Sequence, residues 1–303
     1  PSLSGNDTMS HRERWMAWIF VAPALLLVGA LMYYPMIGTI IESLYSTSFI
    51  NPAPKFQGLA AYYKILADPI FGQVVWNSLI WTVFVVALQN VFGFLVALLL
   101  NQHMPGQGLM RSLVLLPWVL PGVVAAILWR FMYDPQLGLV NSLLISLGLI
   151  DHGTAWLAET STAMGSIIMA AVWKGFPFSA IVYLAALQTV DQEQVEAAKI
   201  DGAGATRRLF DVVLPGIKDV IAINLLLTTI LTFNYFDIIW VMTNGGPQNA
   251  TAIFPTQIYE LGFGQFRFGE AAVYGVFSIL VLALLITVYF GVLSRGRHRG
   301  KAS

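Results

Sequence analysis

Glu196-Ala197-Ala198-Lys199-Ile200-Asp201-Gly202-Ala203-Gly204-Ala205-Thr206-Arg207-Arg208-Leu209-Phe210-Asp211-Val212-Val213-Leu214-Pro215 is the stretch on which the reading of this chain turns. It is polar, carries two glycines and closes on a proline, inside a sequence that is otherwise strongly apolar. Just upstream, Asp191 with Gln194 three residues later predicts an N-cap with a capping-box partner. Val190 and Val195 hold the N′ and N4 positions of a hydrophobic staple. A short helix is therefore expected to begin near Gln192. Gly202 and Gly204 end or bend it, because glycine accepts the positive φ of a helix stop. Thr206 is placed to cap a second short helix, and Pro215 to restart the chain in a new direction. A capped helical elbow between two apolar stretches has the form of a docking surface.

The surroundings say what kind of surface. Of 303 residues, 57% are apolar and only 11% charged, with mean hydropathy +0.71. Ordinary soluble domains are about 45–50% apolar and about 25% charged. So little charge cannot clothe a soluble surface of this size, and lipid must be the solvent for much of the chain. There is no cysteine, which removes thiol catalysis, thiolate metal sites and disulfides. The formal net charge of zero gives no global field for nucleic acid.

Runs of about 20 mostly apolar residues mark transmembrane helices. They predict six spans: Trp15–Met36, Asn77–Leu100, Ser112–Met132, Ala163–Leu187, Gly216–Met242 and Glu270–Leu293. The fold class is thus an all-α polytopic membrane protein. Arg12 and Arg14 before the first run resemble a signal peptide, but the run is too long and no small-residue cleavage site follows, so it reads as a retained span. Residues 1–8 precede Met9, a candidate native start.

With the N-terminus inside, the inner segments hold eleven basic residues: Arg12, Arg14, Arg111, Lys199, Arg207, Arg208, Lys218, Arg295, Arg297, Arg299 and Lys301. The outer segments hold four, namely Lys55, Lys64, Arg130 and Arg267. That asymmetry obeys the positive-inside rule and puts both termini and the elbow in the cytoplasm. The expected division is a tail at 1–14, a first span at 15–36, an outer loop at 37–76, a five-span core at 77–293 containing the elbow loop at 188–216, and a basic tail at 294–303. In the outer segments, Leu137–Ile150 is amphipathic enough for a short interfacial helix, and Asn244-Gly245-Gly246-Pro247 signals a turn. Phe254, Tyr259, Phe263, Phe266 and Phe268 then follow at spacings typical of an interfacial aromatic belt.

No nucleotide or hydrolase motif accompanies these spans. Gly296-Arg-His-Arg-Gly-Lys301 is one residue short of a phosphate-binding loop and precedes no helix, and the four histidines are scattered. If ATP drives this chain, a partner supplies it. Polar residues inside spans face a bundle interior or a cavity, because hydrocarbon penalises them. Here they are Asn77, Ser78, Thr82, Gln89 and Asn90 in span two, Lys174 in span four, and Asn224, Thr228, Thr229, Thr232, Asn234 and Asp237 in span five. Taken singly, an Asn or Thr at such a place most often bonds one helix to another. Together, amides and hydroxyls beside aromatic faces suit a hydroxyl-rich solute such as a sugar. Asn77, Trp81, Gln89, Asn90, Lys174, Asn234, Tyr235, Asp237 and Trp240 are the candidate lining of its path. For Lys174 the structural role is preferred: pairing with a carboxylate or carbonyl, at a helix break before Pro177. Pro117 and Pro121 in span three are further candidate kinks.

The elbow also carries a family resemblance. Glu196-Ala197-Ala198, three residues, Gly202, nine residues, Val212, one residue and Leu214-Pro215 resemble the EAA motif of ABC importer permeases, with Val in place of Ile. Ala22-Pro23, Tyr34-Pro35, Leu116-Pro117 with Pro121, Trp173–Phe178 and Phe233–Pro247 are similar to the MalF-type carbohydrate subfamily. The resemblance covers essentially the whole chain and implies the type I importer permease fold. It implies that Glu196, Ala197, Ala198, Asp201, Gly202, Ala203, Leu214 and Pro215 form a coupling element seated in a cytoplasmic ATPase subunit. It also implies two ATPase copies that hold ATP and Mg, a second homologous permease, a periplasmic substrate-binding protein and a bacterial inner-membrane location, with no cofactor or metal in this chain. An ABC permease for another small polar solute, such as a glycerol phosphodiester, a sulfonated or polyol glycoside or an osmolyte, stays open. So does a secondary transporter, which the scarcity of intramembrane carboxylates disfavours.

Overall fold

The computed structural model describes residues 11–48, 53–102 and 104–299. Met9, the 49–52 part of the long outer segment and Lys301 of the basic tail lie outside them. The first span is one continuous helical run: α1 (His11–Val28), a π-helical turn (Gly29–Tyr33) and α2 (Tyr34–Glu42). It extends past the predicted Met36, and its spanning window has no buried residue, so its apolar side chains face outward along their length. A two-stranded antiparallel hairpin follows, β1 (Tyr45–Ser46) on β2 (Lys55–Phe56), then α3 (Ala60–Leu66).

The next helix, α4 (Pro69–Leu100), starts earlier than the predicted Asn77. Asp68 caps it by accepting the Ile70 N–H at 2.9 Å, and Pro69 takes the first turn, where a missing N–H costs nothing. The third predicted span is not one rod. α5 (Gln107–Val119) and α6 (Gly122–Met132) meet at 95°, with Leu120 and Pro121 extended between them. Pro121 forces the break by driving Leu120 out of the helical region, whereas Pro117 sits inside α5 without ending it.

After α7 (Leu139–Ser146), which occupies the expected interfacial segment, α8 (Ala163–Leu187) runs straight through Gly175 and Pro177. The break anticipated before Pro177 does not occur; close packing on α4 carries the helix through the proline. The elbow contains α9 (Gln192–Ile200), α10 (Ala205–Arg208) and α11 (Leu214–Gly216). α12 (Lys218–Phe233) and α13 (Asp237–Thr243) follow, bent by 41° at residues 234–236. α14 (Phe254–Tyr259) and a third π-helical turn (Glu260–Gly264) occupy the expected outer segment, and α15 (Phe268–Arg299) is the last described element. Among the described residues, four helices are long and apolar enough to cross a membrane, six if each bent pair counts as one span.

α4 and α8 run side by side in the same direction, with Gly93 at their crossing. A Cβ at position 93 would lie 2.6 Å from Ser179 Cβ and 3.0 Å from both Ala180 N and Phe176 O, so only glycine permits this approach. Beside it lies a buried polar cluster. Asn90 Oδ1 accepts from Tyr183 Oη and, at 2.7 Å, from Asn224 Nδ2. Asn90 Nδ2 donates to Val86 O at 2.8 Å and to Thr228 Oγ1 at 3.1 Å. Asn90 thereby ties α4 to α8 and α12. Asn90→Leu strands two buried donors at about 1–3 kcal/mol each. Its thermal unfolding in detergent is expected well below that of the parent, with Asn90→Asp closer to it; an unchanged midpoint would show the cluster to be incidental.

Apolar clusters fix the two ends of the bundle. Ala97, Leu100, Tyr183, Leu187 and Ile217 pack beneath the elbow. At the other end Val74, Phe254, Ala271 and Tyr274 pack with Ala61 and Ile65 of α3.

Candidate functional site

The elbow is built as its sequence asked, with three local differences. Asp191 caps α9 by accepting the Glu193 N–H at 3.0 Å. Gln194 reaches the Asp191 carboxylate at 3.2 Å and not its backbone N–H, so the capping box is incomplete. Gly202 has φ +77°, with its N–H on Lys199 O at 3.1 Å and the Ala203 N–H on Ala198 O at 2.9 Å. These two bonds define a Schellman stop, which needs the left-handed residue at Gly202. α10 is capped by Gly204 and not by Thr206, which lies inside it. From there the helix runs through a π-helical turn (Leu209–Val213), closed by the Leu214 N–H on Leu209 O, into α11. Pro215 sits in the first turn of α11, and the chain turns only at Ile217. Pro215 is tolerated there because the π turn has already displaced the ladder it would break.

No side chain of α9 is buried. Glu196, Ala197, Asp201 and Pro215 are exposed, and Ala198, Ala203 and Leu214 half-buried. Ile200 is 86% exposed and Phe210 60%. The small residues keep the helix face flat, and Arg208 Nη1 braces the turn by donating to Ala203 O at 2.7 Å.

Between elbow and far end lies a cavity of about 480 Å³, lined by Gln89 of α4, Trp118 of α5, Lys174, Gly175 and Phe178 of α8, Thr228, Leu231 and Thr232 of α12, and Asn234–Asp237 at the bend. It exists because both bent helix pairs break at its edge. Gly122, the first residue of α6, lies so close to Asp237 that any Cβ there would overlap the carboxylate. Gln89 lies over Gly175 in the same manner and donates to Ser179 Oγ at 3.3 Å. Trp118 and Phe178 stack at 6.0 Å on one wall. Lys174 is in none of the ion pairs among the described residues; the nearest charge acting on it is Asp237 across the cavity.

Gln89, Lys174, Asn234, Tyr235 and Asp237 of the predicted lining therefore converge on one space. The others sit elsewhere. Asn77 Nδ2 donates to Asn249 O and Ala252 O at 2.9 and 3.1 Å, and Trp81 Nε1 to Thr232 O at 2.9 Å. With Asn90, they bond helices and loops together. Trp240 stacks on Phe236 and meets Tyr259 edge to face, with Phe263 beyond, in a group of rings that touches the cavity only through Phe236. Sequence reading missed Trp118, Phe178 and Gly122. Trp118 lay in a plain apolar run, Phe178 was noted only as the end of the Trp173–Phe178 stretch, and Gly122 gains its role only from the 95° bend.

A helical bundle with a largely apolar internal cavity that holds a few polar groups, and an exposed elbow beneath it, defines a membrane transport component. The chain belongs to the family of binding-protein-dependent transport system inner membrane components, whose profile matches residues 89–299. It is 33% identical over 291 residues to the trehalose/maltose transport system permease protein MalF of Thermococcus litoralis, covering 96% of this chain and 97% of that one. It is 33% identical over 274 residues to the lactose transport system permease protein LacF of Rhizobium radiobacter, covering 89% and 90%. The crystal structure of a bacterial ABC transporter involved in the import of the acidic polysaccharide alginate matches with a TM-score of 0.80 at 22% identity, over 94% of this chain and 96% of that chain. The fold is thus that of a type I ABC importer permease, and the chain is a transport subunit and not an enzyme.

Proposed function

We propose that this chain is one of two permease subunits of an ATP-driven, binding-protein-dependent importer that carries a sugar or glycoside across the bacterial inner membrane. Six spans place both termini and the elbow in the cytoplasm, with 37–76 outside and 77–293 as the core. Two copies of an ATPase subunit hold ATP and Mg, and one receives the elbow through Glu196, Ala197, Ala198, Asp201, Gly202, Ala203, Leu214 and Pro215. A second, related permease completes the path, and a periplasmic binding protein delivers the solute.

The observation that carries this reading is the elbow. A rigidly capped helix with Ile200 and Phe210 bared to water calls for a protein cover. This chain has no nucleotide motif of its own, so the cover is taken to be the subunit that has one. For cargo, the uncharged amide and hydroxyl groups of Gln89, Thr228 and Asn234 beside Trp118, Phe178 and Tyr235 suit sugar hydroxyls and ring faces. The maltose/trehalose and lactose permeases among the relatives support the same class. Gln89, Lys174, Asn234, Tyr235 and Asp237 are the residues assigned to the path, and Asn77, Trp81, Asn90 and Trp240 its supports.

Affinity capture of the tagged chain from mild-detergent membranes tests the assignment. An ATPase subunit and a second permease are expected to co-purify, and Ile200→Glu to lose the ATPase at unchanged yield of the chain. A chain that purifies alone yet sustains uptake would overturn it.

A further inference from the structure

α6 has 11 residues. At about 1.5 Å per residue it is roughly 16 Å long, against a hydrocarbon core of about 30 Å. The 95° corner before it means that α5 does not continue its direction, so the depth of α6 is not set by the length of one apolar rod. At its far end the chain passes into α7 through a turn in which Asp134 Oδ1 accepts the Gln136 and Leu137 N–H groups at 2.9 and 2.8 Å. Residues 137–149 then bare Leu137, Leu139, Leu143, Ile145, Leu147 and Leu149. No charged residue and no histidine lies between Asp134 and Asp151. The polar groups of the segment are turned inward. Asn141 is buried, donating to Asp134 O at 3.1 Å and Thr154 O at 3.0 Å and accepting from Thr154 N at 3.1 Å and Trp156 Nε1 at 2.8 Å. Ser142 Oγ donates to Gly138 O at 3.1 Å and Ser146 Oγ to Leu143 O at 2.8 Å. The helix stops at Gly148 (φ +68°), with the Gly148 N–H on Ile145 O and the Leu149 N–H on Leu144 O, both at 2.9 Å.

We propose that α7 is a lipid-bound brace: its aliphatic face lies among the upper acyl chains of one leaflet and holds the end of α6 at a fixed depth. A face meant for water turns polar groups outward, and a protein interface keeps a polar rim. Here the hydroxyls and the helix stop are bonded within the segment, which is what hydrocarbon requires. The face is also continuous with Val124, Leu128 and Phe131, exposed on α6. Trp129, Tyr133 and Trp156 are grouped at its root, and such rings collect at the level of lipid headgroups. Asn141 is the pin that joins α7 to this root. That the leaflet is the outer one rests on the orientation proposed above; the lipid contact does not.

Because the chain has no cysteine, a single introduced thiol is its only labelling site. Nitroxides on Leu143→Cys, Leu147→Cys and His152→Cys are read by power-saturation EPR against oxygen and a water-soluble nickel chelate. The full chain, with any subunits that co-purify, is held in phosphatidylcholine nanodiscs. Oxygen concentrates in hydrocarbon, so it is expected to dominate at Leu143→Cys and Leu147→Cys, as at Phe131→Cys on α6, and nickel at His152→Cys. With Leu139→Glu and Leu147→Glu added, the oxygen-to-nickel ratio at Phe131→Cys is expected to fall several-fold as α6 loses its hold, while that at Leu95→Cys on α4 stays. Nickel dominating at Leu143→Cys and Leu147→Cys would make the face a wetted one. Slow collision with both reagents would mean a protein cover, from a second copy or another subunit. Either result overturns the proposal, as does an unchanged ratio at Phe131→Cys in the Glu background. The single labels in the parent decide the lipid contact whether or not the Glu variant folds. No ATP or transport is involved, so failure here leaves the importer reading intact, and a failed capture experiment leaves this one intact.

Discussion

Gly202→Pro is expected to lower uptake on the order of a hundredfold while the chain still reaches the membrane. Proline fixes φ near −65°, against +77° at Gly202, and removes the N–H that bonds Lys199 O. The local cost is about 3 kcal/mol, which depopulates the native elbow by about two powers of ten. Because α9 has no buried side chain, that cost falls on the elbow and not on the spans. Gly202→Ala keeps the N–H and carries only the left-handed penalty of about 1–2 kcal/mol, so its uptake is expected to fall between the two. Uptake of labelled sugar, normalised to chain present in the membrane, reads both. Unimpaired uptake in Gly202→Pro would remove the elbow from the coupling path.

The second large effect concerns the cavity wall. Gly122→Val places a branched side chain where the Asp237 carboxylate now lies and drives that carboxylate from its position at the bend. Overpacking of this kind costs about 1–3 kcal/mol, and uptake is expected to fall about tenfold or more. The double change Gly122→Val with Asp237→Gly relieves the overlap, so thermal stability is expected to return while uptake does not. Restoration of both would make Asp237 a packing group with no part in the path. Asp237→Asn keeps the shape and removes the charge that faces Lys174, which separates the electrostatic from the steric share.

Much of the molecule was legible in one dimension. Hydrophobic runs long enough to cross a bilayer located a helix at every predicted span, because hydrocarbon demands an apolar, internally bonded backbone whatever its neighbours are. The elbow was legible because caps and stops are local chemistry: Asp191 meets an N–H two residues on, and Gly202 closes its turn within five residues. Proline was the unreliable signal. Pro121 breaks a span, Pro117 and Pro177 lie inside helices that continue through them, and Pro69, behind the Asp68 cap, starts one.

What the sequence determined by itself was the solvent of each segment, the capped elbow and the stock of polar groups available to the interior. Which of those groups face a cavity was decided only by the tertiary structure. Asn90 and Gln89 are neighbours on one helix, with similar amides and equal burial, yet Asn90 bonds α8 and α12 together while Gln89 forms part of the cavity wall. The difference comes from the bend at residues 234–236 and the 95° corner at Pro121, where two helices turn away and leave room. Such room is a property of several segments at once, so no pattern within one of them records it.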